Sequence, residues 1–394
     1  MPCRDVASPP RLRFYLPPLR RFSLYASCRV DGIGSSKHGI ALPFIDSLKD
    51  SVLRTSDIRE ANITVLPALI DWYARGRCSG SWSDHLRNLT AEATQLRRQS
   101  PQTPQMVLAA DFKACGAIVS SLRRALPLLR IGTYLGTRGE RKCAMASCAF
   151  AVGYMNDVDA FSAWRGRSWN VSSAVAFDNV RSTAELLQAN RTLQVEFAGQ
   201  ADHRPAYRQR LDFVHNRDRL SNGSWVTTPT PTLRCNASSK SPLFAWSGLR
   251  ACNASAPGDR LYCSISISHR EMYEVRAEAR YSLMLRGDDA SSDRLQNALM
   301  TLTVPVVLGE VPPWLPFSWV VPWRKMVVRV GAANFFAHPA AVLSALSREV
   351  GSKQALIAQH LCHFAFWPED SLFHRNILWA SVRTVCPASD VNKM

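Results

Sequence analysis

The stretch from Tyr281 to Arg329, YSLMLRGDDASSDRLQNALMTLTVPVVLGEVPPWLPFSWVVPWRKMVVR, constrains the fold most, because it sets a polar, glycine-containing loop directly between two apolar segments. Tyr281 to Leu285 is an apolar run of strand length. Arg286 to Asp293 is turn-rich, and its backbone amides and small side chains suit the close approach of an anion. Leu295, Ala298, Leu299 and Leu302 then recur at helical spacing, and Val304 to Leu308 is a β-branched run of the kind buried on both faces of a parallel sheet. The unit reads as βαβ with its loop at the carboxyl end of a strand, where open α/β sheets bind nucleotides.

With 394 residues, the chain exceeds one ordinary core and suits two domains. In the first half, the apolar runs Leu12 to Tyr15, Ile63 to Leu66, Val107 to Ala110 and Ala149 to Val152 alternate with helix-spaced segments such as Ile45 to Leu53 and Ser83 to Leu96. That alternation predicts an α/β domain with a largely parallel sheet. The proline-containing loop Gln99 to Gln105 ends one helix before a strand. In the second half, Leu193 to Phe197 reads as a strand, Tyr207 to Phe213 as a helix and His215 to Leu261 as an insertion-like loop. Helical patterns follow at Ala341 to Val350, Gln354 to Phe366 and Leu372 to Val382.

A net charge of +17, carried mostly by arginine, favours phosphate or carboxylate partners through planar, bidentate contacts. Nucleic acid is not the expected partner: the arginines are scattered, and no zinc-finger, helix-turn-helix or RNA-recognition signature accompanies them. No window offers about twenty uninterrupted apolar residues. Arginines at 11, 13, 20 and 21 interrupt the opening apolar stretches, so neither a signal peptide nor a membrane anchor is visible in this chain. Asn62, Asn88, Asn170, Asn190, Asn222, Asn236 and Asn253 all begin Asn-x-Ser/Thr, half of all the asparagines, an excess that points to a glycosylated, lumenal protein. Eleven cysteines agree with an oxidising compartment, and the odd number leaves at least one free or intermolecular. The repeats Cys235-Asn236-Ala237-Ser238 and Cys252-Asn253-Ala254-Ser255 read as a surface excursion stapled by a disulfide whose pairing stays open.

Four collinear blocks resemble the exostosin family of glycosyltransferases. In the opening stretch they are Gly287-Asp288, Ser291-Ser292, Arg294-Leu295, Asn297-Ala298, Val304-Pro305-Val306 and Pro316-Phe317. Arg11 to Leu19 resembles the family's first strand and Leu-Pro-Pro, and Arg54 to Pro67 its Asp-x-x-Glu-Ala turn and second strand, with Asp57 and Glu60 at a turn and helix boundary. Phe197-Ala198-Gly199, followed by Arg208 and Leu211, resembles its Phe-x-Gly strand end and the next helix. Trp169 to Phe177 is similar to the crossover between domains. The resemblance implies an α/β, GT-B-like architecture: two Rossmann-like domains facing across a cleft, 11–176 on the acceptor side and 177–394 binding the nucleotide-sugar, with the last helices packing back.

It also implies a glycosyltransferase that moves a sugar, expected from a UDP-sugar, onto a glycan or polysaccharide acceptor in the Golgi or secretory lumen, with inversion and without a metal or other cofactor. Gly287, Ser291, Ser292, Arg294, Asn297, Gly199 and Arg208 become donor-binding candidates, with Arg294 holding diphosphate. Asp111, after the strand Val107 to Ala110, is the candidate general base. Three departures bear on activity. Asn297 stands where the family has Glu or Asp and so offers no charge to ribose hydroxyls, Thr303 replaces a frequent Cys, and Gln200 replaces Arg or Lys, with His203 and Arg204 nearby. They keep open an inactive scaffold or glycan-binding partner of a related transferase. Asp157 and Asp159, an Asp-x-Asp pair, keep open a metal-dependent transferase. Asp288 is expected to order its turn, and His360, Cys362 and His363 read as helix packing rather than a metal site.

Overall fold

The computed structural model describes residues 12–28, 40–74, 76–109, 117–133, 148–152, 181–191, 193–196, 198–200, 243–245, 273, 276–285, 293–309, 315–364 and 372–386. The chain is α/β and builds two sheets of parallel strands. It divides into two units: Met1–Ala176 with Pro313–Val321 and Cys362–Met394, and Phe177–Pro312 with Pro322–Leu361.

The first unit's sheet follows the apolar runs. Its strands are β1 (Phe14–Tyr15), β2 (Arg54–Thr55), β3 (Ile63–Val65), β4 (Gln105–Leu108), β5 (Arg130–Thr133) and β6 (Ala149–Ala151). They lie in the order β2-β1-β3-β4-β5-β6, all parallel, so the strand order reverses between β1 and β3. Parallel neighbours require crossovers, which fall to helices such as α1 (Ser23–Ala26), α2 (Ala41–Lys49), α3 (Ile70–Ala74), α4 (Trp82–Gln99) and α5 (Ala117–Ala125). The longest of them, α4, starts where the Ser81 hydroxyl accepts the Asp84 amide, and it buries Leu89, Ala93 and Leu96, a four-then-three spacing that puts one stripe on the core. Val107, Val119, Leu122 and Ile131 join that cluster. Each such aliphatic side chain contributes roughly 1.5–3 kcal/mol by leaving water.

Two strands escape the sequence pattern. Only two residues long, β2 has an exposed Arg54. A glycine interrupts β5, and Gly132 is required there: a Cβ would stand 2.5 Å from Leu108 Cδ2 and 2.9 Å from the Phe150 ring. Helix α2 begins before the predicted Ile45 to Leu53 and stops at Lys49, since Ser51 to Leu53 turn into β2.

A helix from the far end of the sequence, Phe373–Arg383, completes this unit. It packs on α2, β3, β5 and β6 and buries Phe373, Ile377 and Leu378 completely. Arg130 Nη1 donates to the Ser381 and Val382 carbonyls at 2.6 and 2.9 Å, placing a cation at the negative end of that helix. The disulfide Cys148–Cys386 fastens the same end to the start of β6, and Cys28–Cys78 ties the end of α1 to the turn before α4.

In the second unit, α6 (Thr183–Gln188) opens with a capping box in which Ser182 and Glu185 exchange side-chain and backbone hydrogen bonds. Strand β7 (Leu193–Glu196) follows, then an antiparallel pair, β8 (Ala198–Gln200) and β9 (Leu243–Ala245). Strands β10 (Ala279–Met284), β11 (Val304–Leu308) and β12 (Val328–Val330) finish a parallel sheet ordered β12-β11-β10-β7. Between β10 and β11 lies α7 (Asp293–Met300), as the spacing predicts, but Leu302 is not part of it. The helix stops at Met300, and Leu302 takes a left-handed conformation (φ 52°) while Thr303 N donates back to the Ala298 carbonyl at 2.9 Å. Four further helices follow: α8 (Trp323–Met326), α9 (Ala332–Ala337), α10 (Pro339–Leu346) and α11 (Val350–His360). The expected crossover at 169–177, the helix at 207–213 and most of the 215–261 insertion lie outside the described residues. Among the described residues no helix is long and apolar enough to cross a membrane.

Candidate active site at the carboxyl edge of the second sheet

Strands β10 and β11 run side by side, Tyr281 level with Val304 and Met284 level with Val307. Tyr281 and Leu283 are fully buried, as are Val304 and Val306. That burial fixes the level at which the chain leaves β10 for the polar loop. Leu285, just past the strand, offers its carbonyl to Arg294 Nη2 at 3.3 Å. Arg294 is half-buried in the first turn of α7, so its guanidinium spans from the helix start to the strand end. Asn297 lies one turn later, only 6% exposed, and its backbone carbonyl accepts both the Thr301 amide and its hydroxyl.

Below that edge, polar side chains cross the sheet. Glu196, the last residue of β7, accepts Arg276 Nε at 2.9 Å and the Ser282 hydroxyl from β10. Both members of the ion pair are 2% exposed. Arg191 is equally enclosed. Its Nη1 donates to the Ala279 carbonyl and to Thr303 Oγ1, and its Nη2 to the Leu186 and Thr301 carbonyls. Burial, with repulsion from Arg181 added, pulls the Arg191 guanidinium down to about 10. Thr303, which stands at a Cys position in the exostosin pattern, is a hub: its hydroxyl donates to the Arg276 carbonyl at 2.6 Å while accepting from Arg191.

Of the donor-binding candidates, Arg294 and Asn297 therefore share α7, while Gly199 lies in β8 opposite Phe244. Gly287, Ser291, Ser292 and Arg208 lie outside the described residues, as do Asp111, Asp157, Asp159, Asp288, His203 and Arg204. Gln200 ends β8. The sequons divide similarly. Asn62 is exposed at the start of β3 and its Oδ1 accepts the Arg13 amide at 2.7 Å; Asn88 is half-buried within α4, where its Oδ1 accepts the Ser23 amide at 2.9 Å; Asn190 is exposed after α6. Asn170, Asn222, Asn236 and Asn253 fall outside the described residues. At the His360–Cys362–His363 cluster, Cys362 is disulfide-bonded and His363 Nδ1 accepts from Asn376 Nδ2 at 2.9 Å. A disulfide-bonded Cys362 has no thiolate to offer a metal.

No protein-family model and no curated protein matches this sequence. Among solved structures, the N-terminal domain of trehalose-6-phosphate phosphatase from Candida albicans aligns over 96% of this chain and 98% of its own, at 9% identity and a TM-score of 0.44. So remote a similarity carries no functional weight.

Sequence reading missed the polar residues that fasten this sheet. Glu196 sits inside an apolar strand run and Arg191 inside a sequon, and in each the apolar or sequon pattern masks the charge. A carboxylate in a buried strand is itself a signal, because it needs a buried cation. Which arginine answers it is not a local property.

Proposed function

We propose that the chain is an exostosin-like glycosyltransferase of GT-B architecture, in which 11–176 forms the acceptor-side domain and 177–394 binds a nucleotide-sugar, a UDP-sugar first among the candidates. The observation that carries this reading is Arg294, held by the Leu285 carbonyl at the carboxyl end of β10 and at the amino end of α7. A cation and helix-terminal amides at one strand end stabilise the charge that builds on a departing nucleoside diphosphate. In this reading the acceptor hydroxyl attacks the anomeric carbon in line, Asp111 takes its proton, and the configuration inverts in one displacement without a covalent enzyme intermediate. The protein's own cation and helix-terminal amides then offset the leaving group's negative charge, so no metal step is invoked.

Cysteine usage supports the lumenal assignment. All five cysteines among the described residues are disulfide-bonded, as expected of an oxidising compartment such as the secretory lumen. Among the described residues, Asn190 and Asn62 are the exposed sequon asparagines.

Calorimetric titration of the full chain with UDP tests the reading. Binding is expected, and Arg294→Ala is expected to weaken it roughly ten- to hundredfold with the fold retained. Undiminished UDP affinity in that variant removes Arg294 from the site. A second reading, a non-catalytic partner of an active transferase, is favoured by the uncharged, enclosed Asn297. Absence of binding to both UDP and UDP-sugars in such a titration favours it.

A further inference from the structure

We infer that Arg329, which no motif singles out, is a second phosphate-holding arginine at the same strand edge; the inference rests on the nucleotide-sugar reading above. Arg329 is the exposed middle residue of β12, with Val328 and Val330 buried on either side. An exposed arginine on an edge strand ordinarily sweeps through solvent and guards the edge by its charge alone. Here it is pinned. Gly309, just past β11, has φ 103°, a conformation open to glycine, and its carbonyl accepts Arg329 Nε at 2.8 Å. Gly309 N in turn donates to the Val330 carbonyl at 2.8 Å, so the accepting residue is itself tied to β12.

Anchoring through Nε fixes the guanidinium plane and leaves both Nη groups without a partner among the described residues. Two parallel N–H donors in a fixed plane are the geometry that grips a phosphate bidentately. Arg294 is anchored differently, through Nη2 to the Leu285 carbonyl at 3.3 Å. Because Met284 pairs with Val307, Leu285 is level with Leu308, and Gly309 lies one residue beyond on the neighbouring strand. The two accepting carbonyls thus stand about one strand spacing and one residue apart, roughly 6 Å. Arg294 and Arg329 approach the space beyond these strand ends from α7 and from β12, a disposition suited to one phosphate each of a pyrophosphate.

The test titrates the full chain with UDP and with UMP, in wild type, Arg329→Ala and Arg329→Lys, with Arg348→Ala as an exposed-arginine control. Arg329→Ala is expected to weaken UDP roughly tenfold or more while changing UMP far less, which collapses the UDP-to-UMP preference. Arg329→Lys, which keeps charge but loses the fork and the Nε anchor, is expected to recover only part of it, and Arg348→Ala to match wild type. Equal loss of UDP and UMP, full recovery by lysine, or no loss at all overturns the inference and leaves the parent reading standing. Failure of wild type to bind either nucleotide overturns the parent reading and the inference with it.

Discussion

The two units fasten distant stretches of chain by different means. In the first, Cys148 and Cys386, 238 residues apart, are joined covalently, and Arg130 caps the helix that precedes Cys386. In the second, Glu196 and Arg276, 80 residues apart, are joined by a buried ion pair that also engages Ser282. A covalent tie acts chiefly by restricting the unfolded chain and answers to redox conditions. A buried ion pair gains little net energy over apolar packing but makes the loss of either partner costly, because the survivor stays charged and dry. Sensitivity to reductant is therefore expected in the first unit, and sensitivity to charge deletion in the second.

The largest effect tests the second half of that contrast. Glu196→Ala, which strands the Arg276 guanidinium, is expected to cost about 3–5 kcal/mol in denaturant unfolding. The double replacement Glu196→Leu with Arg276→Met should return most of it. A double variant no better than the single one breaks the contrast by making the pair a net source of stability. Next, Cys148→Ser with Cys386→Ser is expected to cost about 2–4 kcal/mol. Hydrogen exchange should then rise in β5 and β6 and leave β10 and β11 protected; equal deprotection of both sheets erases the distinction.

The smallest effect concerns Tyr281, whose phenol is fully buried in β10 with no hydrogen-bond partner among the described residues. Burial raises its pKa above the ordinary phenol value, so the folded state keeps a proton that the unfolded chain releases. Its contribution is thus complete below about pH 10 and is lost progressively as pH rises beyond that. Tyr281→Phe is expected to change stability at neutral pH by about 1 kcal/mol or less and to remove that alkaline slope. A slope that persists in thermal melts between pH 9 and 11 assigns it to other groups.

Much of this fold is written locally. The β-branched run Val304 to Leu308 is β11 residue for residue, and the Leu295–Ala298–Leu299 spacing is α7, because pleat and helix periods act over a few neighbours. What local pattern misses is decided by contacts far along the chain. Strand β5 exists because Leu108 and Phe150 close on Gly132, and β2 because Phe14 needs a second neighbour. The site divides in the same way. Arg294 is legible from its place after a turn-rich loop; its Leu285 anchor and the Arg329–Gly309 contact appear only once adjacent strands are in register.

The helix Phe373–Arg383, which seals the first unit, is synthesised after the six strands of the sheet it covers. That sheet must therefore wait, with the apolar surface over α2, β3, β5 and β6 uncovered, while the intervening unit is synthesised and free to settle. Such a chain needs protection for that sheet during translation, and termination before residue 373 should leave it open to holdase chaperones and quality-control proteases.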